Sequence, residues 1–175
     1  SVNFSLQYAN QTTERDVRFL QVRGGSMVFN GRLDDENSTV QSFNSVATII
    51  GPGSVTFNRN TIGTNDIDRW NFIGGTTTWE ATGMTGNDQF ASNSTQSLVG
   101  RSGWGGGTLI FNTGAAARSQ QLNSNIYLLG GASVANPRAT TTLTLGSATA
   151  VLDRRSGSSL SFIEDGTMNL TAVGL

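Results

Sequence analysis

Three short stretches gather the oxygen-bearing side chains that could hold a cation or move a proton. GTNDID, at Gly63 to Asp68, places Asn65, Asp66 and Asp68 within one turn-rich loop. Hard carboxylate and amide oxygens on a tight loop suit Ca²⁺. GMTGNDQF, at Gly83 to Phe90, adds Asp88 in a similar setting. Asp66, Asp68 and Asp88 are therefore the candidate calcium ligands, although Asn and Asp also serve turns without any metal. GRLDDEN carries Asp34, Asp35 and Glu36, and FIEDG carries Glu164 and Asp165. Carboxylate pairs of this kind are what glycoside hydrolysis requires. Each nonetheless lies beside turn residues, where solvated loop charge accounts for it.

What is missing restricts the chemistry further. The 175-residue chain has no histidine and no cysteine, and all 11 of its basic residues are arginine. The usual general bases and amine or thiol nucleophiles are thus absent, and so are disulfides and thiolate metal sites. An enzyme is not expected. With 12 acidic residues the net charge is −1, and only 13% of residues are charged. A neutral surface of hydroxyl and amide groups does not attract polyanions, so neither nucleic acid nor an anionic membrane is the expected partner. It does suit packing against copies of itself. The longest apolar runs, such as VATIIG, are too short to span a bilayer as a helix.

Trp70, Trp79 and Trp104 raise the question of a sugar-stacking platform. Three tryptophans in a β domain more often anchor the core or an interface, while RSGWGGGTL reads as a flexible loop tip exposing Trp104. That stretch is no phosphate loop, because it lacks the Lys-Ser/Thr ending and a following helix. Sequons begin at Asn3, Asn10, Asn37, Asn93 and Asn169. They would matter only on exported protein in a glycosylating host.

These residues must be carried by strands. Short β-branched or aromatic runs bounded by Gly or Asn recur throughout: DVRFLQVR, GSMVFN, STVQSFNSVATIIG, GSVTFN, DRWNFIG, TTTWEAT, QSLVG, GTLIFN, NIYLLG, TTTLTLG, ATAVLD, SLSFIE and MNLTAV. AAARSQQL, at Ala115 to Leu122, is the one stretch that suits a helical turn. The chain is expected to be a single all-β domain over residues 1–175. Within it GSMVFN, GSVTFN and GTLIFN repeat one phrase, with an echo in SSLSFI. Phe29, Phe57, Phe111 and Phe162 fall about one or two multiples of roughly 26 residues apart, which suggests solenoid coils. A two-sheet sandwich of jelly-roll or pilin-like type would space its turns similarly. Both architectures stay open at this point.

The Gly-Ser/Thr phrases, with NIYLLGGASV, resemble β-solenoid passengers of autotransporters and other secreted bacterial adhesins. GMTGNDQF is similar to half of a repeats-in-toxin nonapeptide, a family that binds calcium between stacked copies. The first resemblance implies an extracellular or cell-surface location.

SVNFSLQYAN opens the chain with Val2, Phe4, Leu6 and Tyr8 on one face of an extended strand. It either forms a hairpin with DVRFLQVR or is offered to a neighbouring subunit, as in donor-strand pilins, which it resembles in pattern. The second reading makes residues 1–10 an assembly strand and Val2, Phe4, Leu6 and Tyr8 intersubunit contacts. The expected function is a structural subunit of a non-covalent extracellular filament, pilus-like or biofilm-forming, joined head-to-tail through β-strands. A carbohydrate-binding or carbohydrate-cleaving β-helix is the alternative, with glycans as partners. A viral capsid or tail protein comes third.

Overall fold

A computed structural model describes residues 6–7, 15–20, 24–30, 33–34, 45–58, 69–82, 90, 101–112, 116–122, 124–136, 139–171 and 173–174. Among these every regular element is a strand, and every strand pairing is parallel. The smallest pairing joins β1 (Leu6–Gln7) to β4 (Leu33–Asp34). Sheet I runs β2 (Arg15–Leu20), β5 (Ser45–Ile50), β7 (Arg69–Phe72), β9 (Arg101–Trp104), β12 (Asn125–Leu128), β15 (Val151–Arg154) and β18 (Val173–Gly174). Sheet II runs β3 (Ser26–Phe29), β6 (Ser54–Asn58), β8 (Thr76–Glu80), β10 (Thr108–Asn112), β13 (Gly131–Asn136) and β16 (Ser159–Glu164). Sheet III holds β11 (Arg118–Leu122), β14 (Thr141–Leu145) and β17 (Thr167–Leu170).

Chain order alternates between sheets, so each strand pairs with the one a full coil away and not with its sequence neighbour. That is a β-solenoid, and it decides between the two architectures left open above. The opening hairpin does not form among the described residues: β2, within DVRFLQVR, pairs in parallel with β5, within SVATII.

Two local expectations are corrected, and one further strand is found. AAARSQQL contributes strand β11 and no helical turn, because Gln120 and Leu122 face inward and Leu122 aligns with Leu145 of the next coil. RSGW is strand β9, and Trp104 is fully buried, not displayed on a loop. GASVAN, which has little β-branched content, is strand β13 because β10 and β16 flank it on both sides.

The core is a set of columns running along the solenoid. In sheet II, Phe29, Phe57, Trp79 and Phe111 are aligned by register. In sheet I, Ile49, Phe72, Trp104 and Leu128 are aligned likewise. Rings meet across coils and across sheets: Phe29 stacks on Phe57 at 5.3 Å, Trp70 meets Trp79 edge-on at 5.1 Å, and Phe72 lies 4.5 Å from Trp104. Burying each such side chain contributes roughly 1.5–3 kcal/mol.

Sheet I turns into sheet II at stacked glycine corners: Gly51-Pro52-Gly53, Gly74-Gly75, Gly105-Gly106-Gly107 and Gly130-Gly131. Carbonyls of one corner accept amides of the next, as in Thr76 N–H to Gly53 O at 3.0 Å and Thr108 N–H to Gly75 O at 2.8 Å. Gly75 has φ +65°, and a Cβ there would stand 2.2 Å from the Gly53 carbonyl oxygen. The corner therefore requires glycine twice over, for conformation and for space.

Candidate assembly surface at the β15–β17 coil

The outward faces of the solenoid carry polar ladders. Asn71 donates through Nδ2 to Thr48 Oγ1 at 3.1 Å and accepts the Gly103 amide at 2.7 Å. Asn58 donates to Asn30 at 2.7 Å, and Asn112 donates to Glu80 at 2.6 Å. These side chains satisfy one another along the axis, which accounts for them as sheet reinforcement.

The coil made by β15, β16 and β17 carries Asp153, Arg154, Arg155, Glu164 and Asp165. Here the inward columns change character. Arg154 continues the column of Leu128, and Glu164 continues that of Asn136, both buried one coil below. Phe162 aligns with Val134 and so lies in the Met27–Val55–Thr77–Leu109 column. The echo SSLSFI is thus two residues out of phase with GSMVFN, and Phe162 is not the structural counterpart of Phe29, Phe57 and Phe111.

The same coil exposes the largest apolar groups. Ile163 is 61% exposed, Phe162 41% and Leu170 41%, whereas Phe29, on the opposite edge of sheet II, is buried. Among the described residues β16 pairs with β13 and β17 with β14, while β18 pairs onto β15 of the same coil. The amides of Ser159 and Asp165 donate back to Gly130 and Asn136. By the alternation of a strand ladder, Leu160, Phe162 and Glu164 direct their main-chain groups away from β13. Beside β16, Arg154 Nε donates to the Ser158 carbonyl at 2.9 Å, and Arg155 stacks over the Tyr127 ring at 5.3 Å. Ile73 and Leu129 make a smaller exposed pair at the sheet I corner, flanking Gly105.

The residues singled out in the sequence fall as follows. Leu6 lies in β1 aligned with Leu33, while Val2, Phe4 and Tyr8 lie outside the described residues, as do Asp66, Asp68, Asp88, Asp35, Glu36 and QSLVG. Asp34 lies in β4. Glu164 and Asp165 are exposed, in keeping with solvated charge. Trp70, Trp79 and Trp104 are buried, with Trp70 Nε1 donating to the Phe90 carbonyl at 2.8 Å, so none of them offers a sugar a stacking face. Of the sequons, Asn169 lies half-buried in β17 with its Nδ2 directed to Thr144 Oγ1, and the other four lie outside the described residues. Sequence reasoning missed Arg154 as a member of a core column. Aligning SFIE with SMVF, one strand phase later than the echo suggested, was the signal available for Glu164.

No helix among the described residues is long and apolar enough to cross a membrane. No protein-family model, curated protein or solved structure matches the chain.

Proposed function

We propose that this chain is a structural subunit of a non-covalent extracellular assembly, built by coil-on-coil contact between solenoids. The observation that carries this reading is the apolar exposure of β16, with Phe162 41% and Ile163 61% exposed. Exposed apolar groups of this size mark contact surfaces, and the occupant that fits a solenoid coil is another coil of the same repeat. The given sequence contains neither cysteine nor lysine, so neither disulfides nor lysine cross-links within it join the subunits. A glycan-binding role has less support, since the buried tryptophans cannot stack on sugars.

Light scattering and negative-stain electron microscopy test this. The wild-type chain is expected to form oligomers or filaments that Phe162→Pro dissolves while keeping its β-sheet spectrum. Proline removes the exposed ring and an amide directed away from β13, so the β13–β16 ladder is kept. A variant with Val2, Phe4 and Tyr8 changed to Ser tests the opening strand separately. A wild-type chain that stays monomeric at all concentrations overturns the proposal.

A further inference from the structure

We infer that the outward face of sheet II binds ice, its rows of uncommitted hydroxyl and methyl groups docking onto the hydrogen-bonded lattice of water. This uses a side of the solenoid and does not rest on the assembly reading above.

Two outward columns run next to each other along the sheet. Register aligns Ser54, Thr76, Thr108 and Ser133 in the first. It aligns Thr56, Thr78, Ile110 and Ala135 in the second. The columns extend from Ser26 to Ser161 and from Val28 to Ile163, and neither holds a charged residue or an amide side chain. Pairing is residue for residue, with Thr76–Glu80 matched in full to both β6 and β10. Neighbouring strands lie about 4.7–4.9 Å apart, and alternate residues along one strand lie roughly 6.6 Å apart. The face is therefore a two-dimensional grid.

Its hydroxyls are uncommitted. Among the described residues, those of Thr56, Thr76, Thr78, Thr108 and Ser133 have no hydrogen-bond partner. On the other sheets Thr48 accepts from Asn71, and Thr144 accepts from Asn169. Each free hydroxyl offers one donor and two acceptor sites. Threonine is stiff at χ1, and these side chains are half-buried between their column neighbours, so the grid is held in place. The bordering column carries Glu80, whose carboxylate is turned along the sheet to accept from Asn112 at 2.6 Å and from the Thr82 amide at 3.3 Å.

An occupant of this face must be flat, uncharged, periodic in two directions and rich in hydrogen-bonding groups. An ice surface has all four properties. Charge complementarity points the same way, since an ion on the grid would orient water against the lattice, and the grid has none. The methyls of Thr56, Thr78, Ile110 and Ala135 order the water beside them, while the hydroxyls bond to lattice oxygens. A polysaccharide surface would instead call for exposed aromatic rings, and Trp70, Trp79 and Trp104 are buried.

Nanolitre osmometry on single ice crystals tests this. The wild-type chain should open a gap between melting and freezing temperatures and should partition into a slowly growing ice front. Thr56→Lys and Thr78→Lys should each lose most of that gap, and Thr78→Ser, which keeps the hydroxyl, should retain more of it than Thr78→Lys. Thr142→Lys, on the outward face of sheet III, should leave it unchanged. Circular dichroism and buried-tryptophan emission report that each variant is folded. A wild-type chain with no gap overturns the inference, as does one that binds crystalline cellulose or chitin without acting on ice. Equal activity in Thr56→Lys, Thr78→Lys and the wild type, or an equal loss in Thr142→Lys, also overturns it. Each of these failures leaves the assembly reading standing, because that reading is tested by oligomer size.

Discussion

Trp79 and Phe90 stack face to face, with 5.4 Å between ring centroids and 9° between their planes. Phe90 belongs to no strand, and two side chains hold it in place. Gln120 Oε1 accepts its amide at 2.9 Å, and Trp70 Nε1 donates to its carbonyl at 2.8 Å. Gln120 is itself buried, with Nε2 on the Gln121 carbonyl. Gln120→Ala leaves a buried amide without its acceptor and should cost about 1–3 kcal/mol in denaturant unfolding. Loss of less than a few tenths would mean that Phe90 is positioned by other groups.

Tryptophan fluorescence reads the core directly. Trp70, Trp79 and Trp104 are each at most 1% exposed, so emission should be blue-shifted and acrylamide should quench it weakly until unfolding. A red-shifted, readily quenched fraction in the native chain would return Trp104 to a surface loop.

Two phenylalanines from similar phrases should behave differently. Phe57 is 4% exposed between Phe29 and Trp70, so Phe57→Ala should destabilise the fold by about 3–5 kcal/mol. Phe162→Ala in dilute solution should cost about 1 kcal/mol or less, since much of that ring is already in water. Equal costs would place Phe162 back in the same column as Phe57.

Glycines can be compared at the corners. Gly75→Ala meets the Gly53 carbonyl and should lower the melting temperature strongly or prevent folding. Gly24 also has positive φ, at +71°, but no atom lies within 4 Å of a Cβ there. Gly24→Ala should therefore cost about 1 kcal/mol, the conformational penalty alone. Similar melting curves for the two variants would show that corner stacking does not limit the fold.

Local signals made strands legible and pairings illegible. GSVTFN and GTLIFN announce their elements through β-branched and aromatic residues between Gly and Asn, and β6 and β10 form there. RSQQL has no such signal and is a strand because β14 of the next coil offers it a full parallel ladder. The same limit applies to the assembly surface. FIEDG looks like an ordinary turn with two solvated carboxylates, and Glu164 becomes informative only when register aligns it with Asn136. The opening strand shows the converse, since its alternation is clear while its partner is set by a coil that returns at Leu33.

By itself, the sequence determined that this protein is all-β, free of thiol, imidazole and amine chemistry, neutral, and punctuated by glycine at intervals suited to coils. Those properties follow from residue type and short-range spacing. Tertiary structure alone decided that the sheets are parallel, that all three tryptophans share one core, and that Arg154 and Glu164 fall in its columns. Each of those depends on which residues meet one coil later, and the unequal coil lengths between Ser54, Thr76 and Thr108 hide that match from any fixed sequence period.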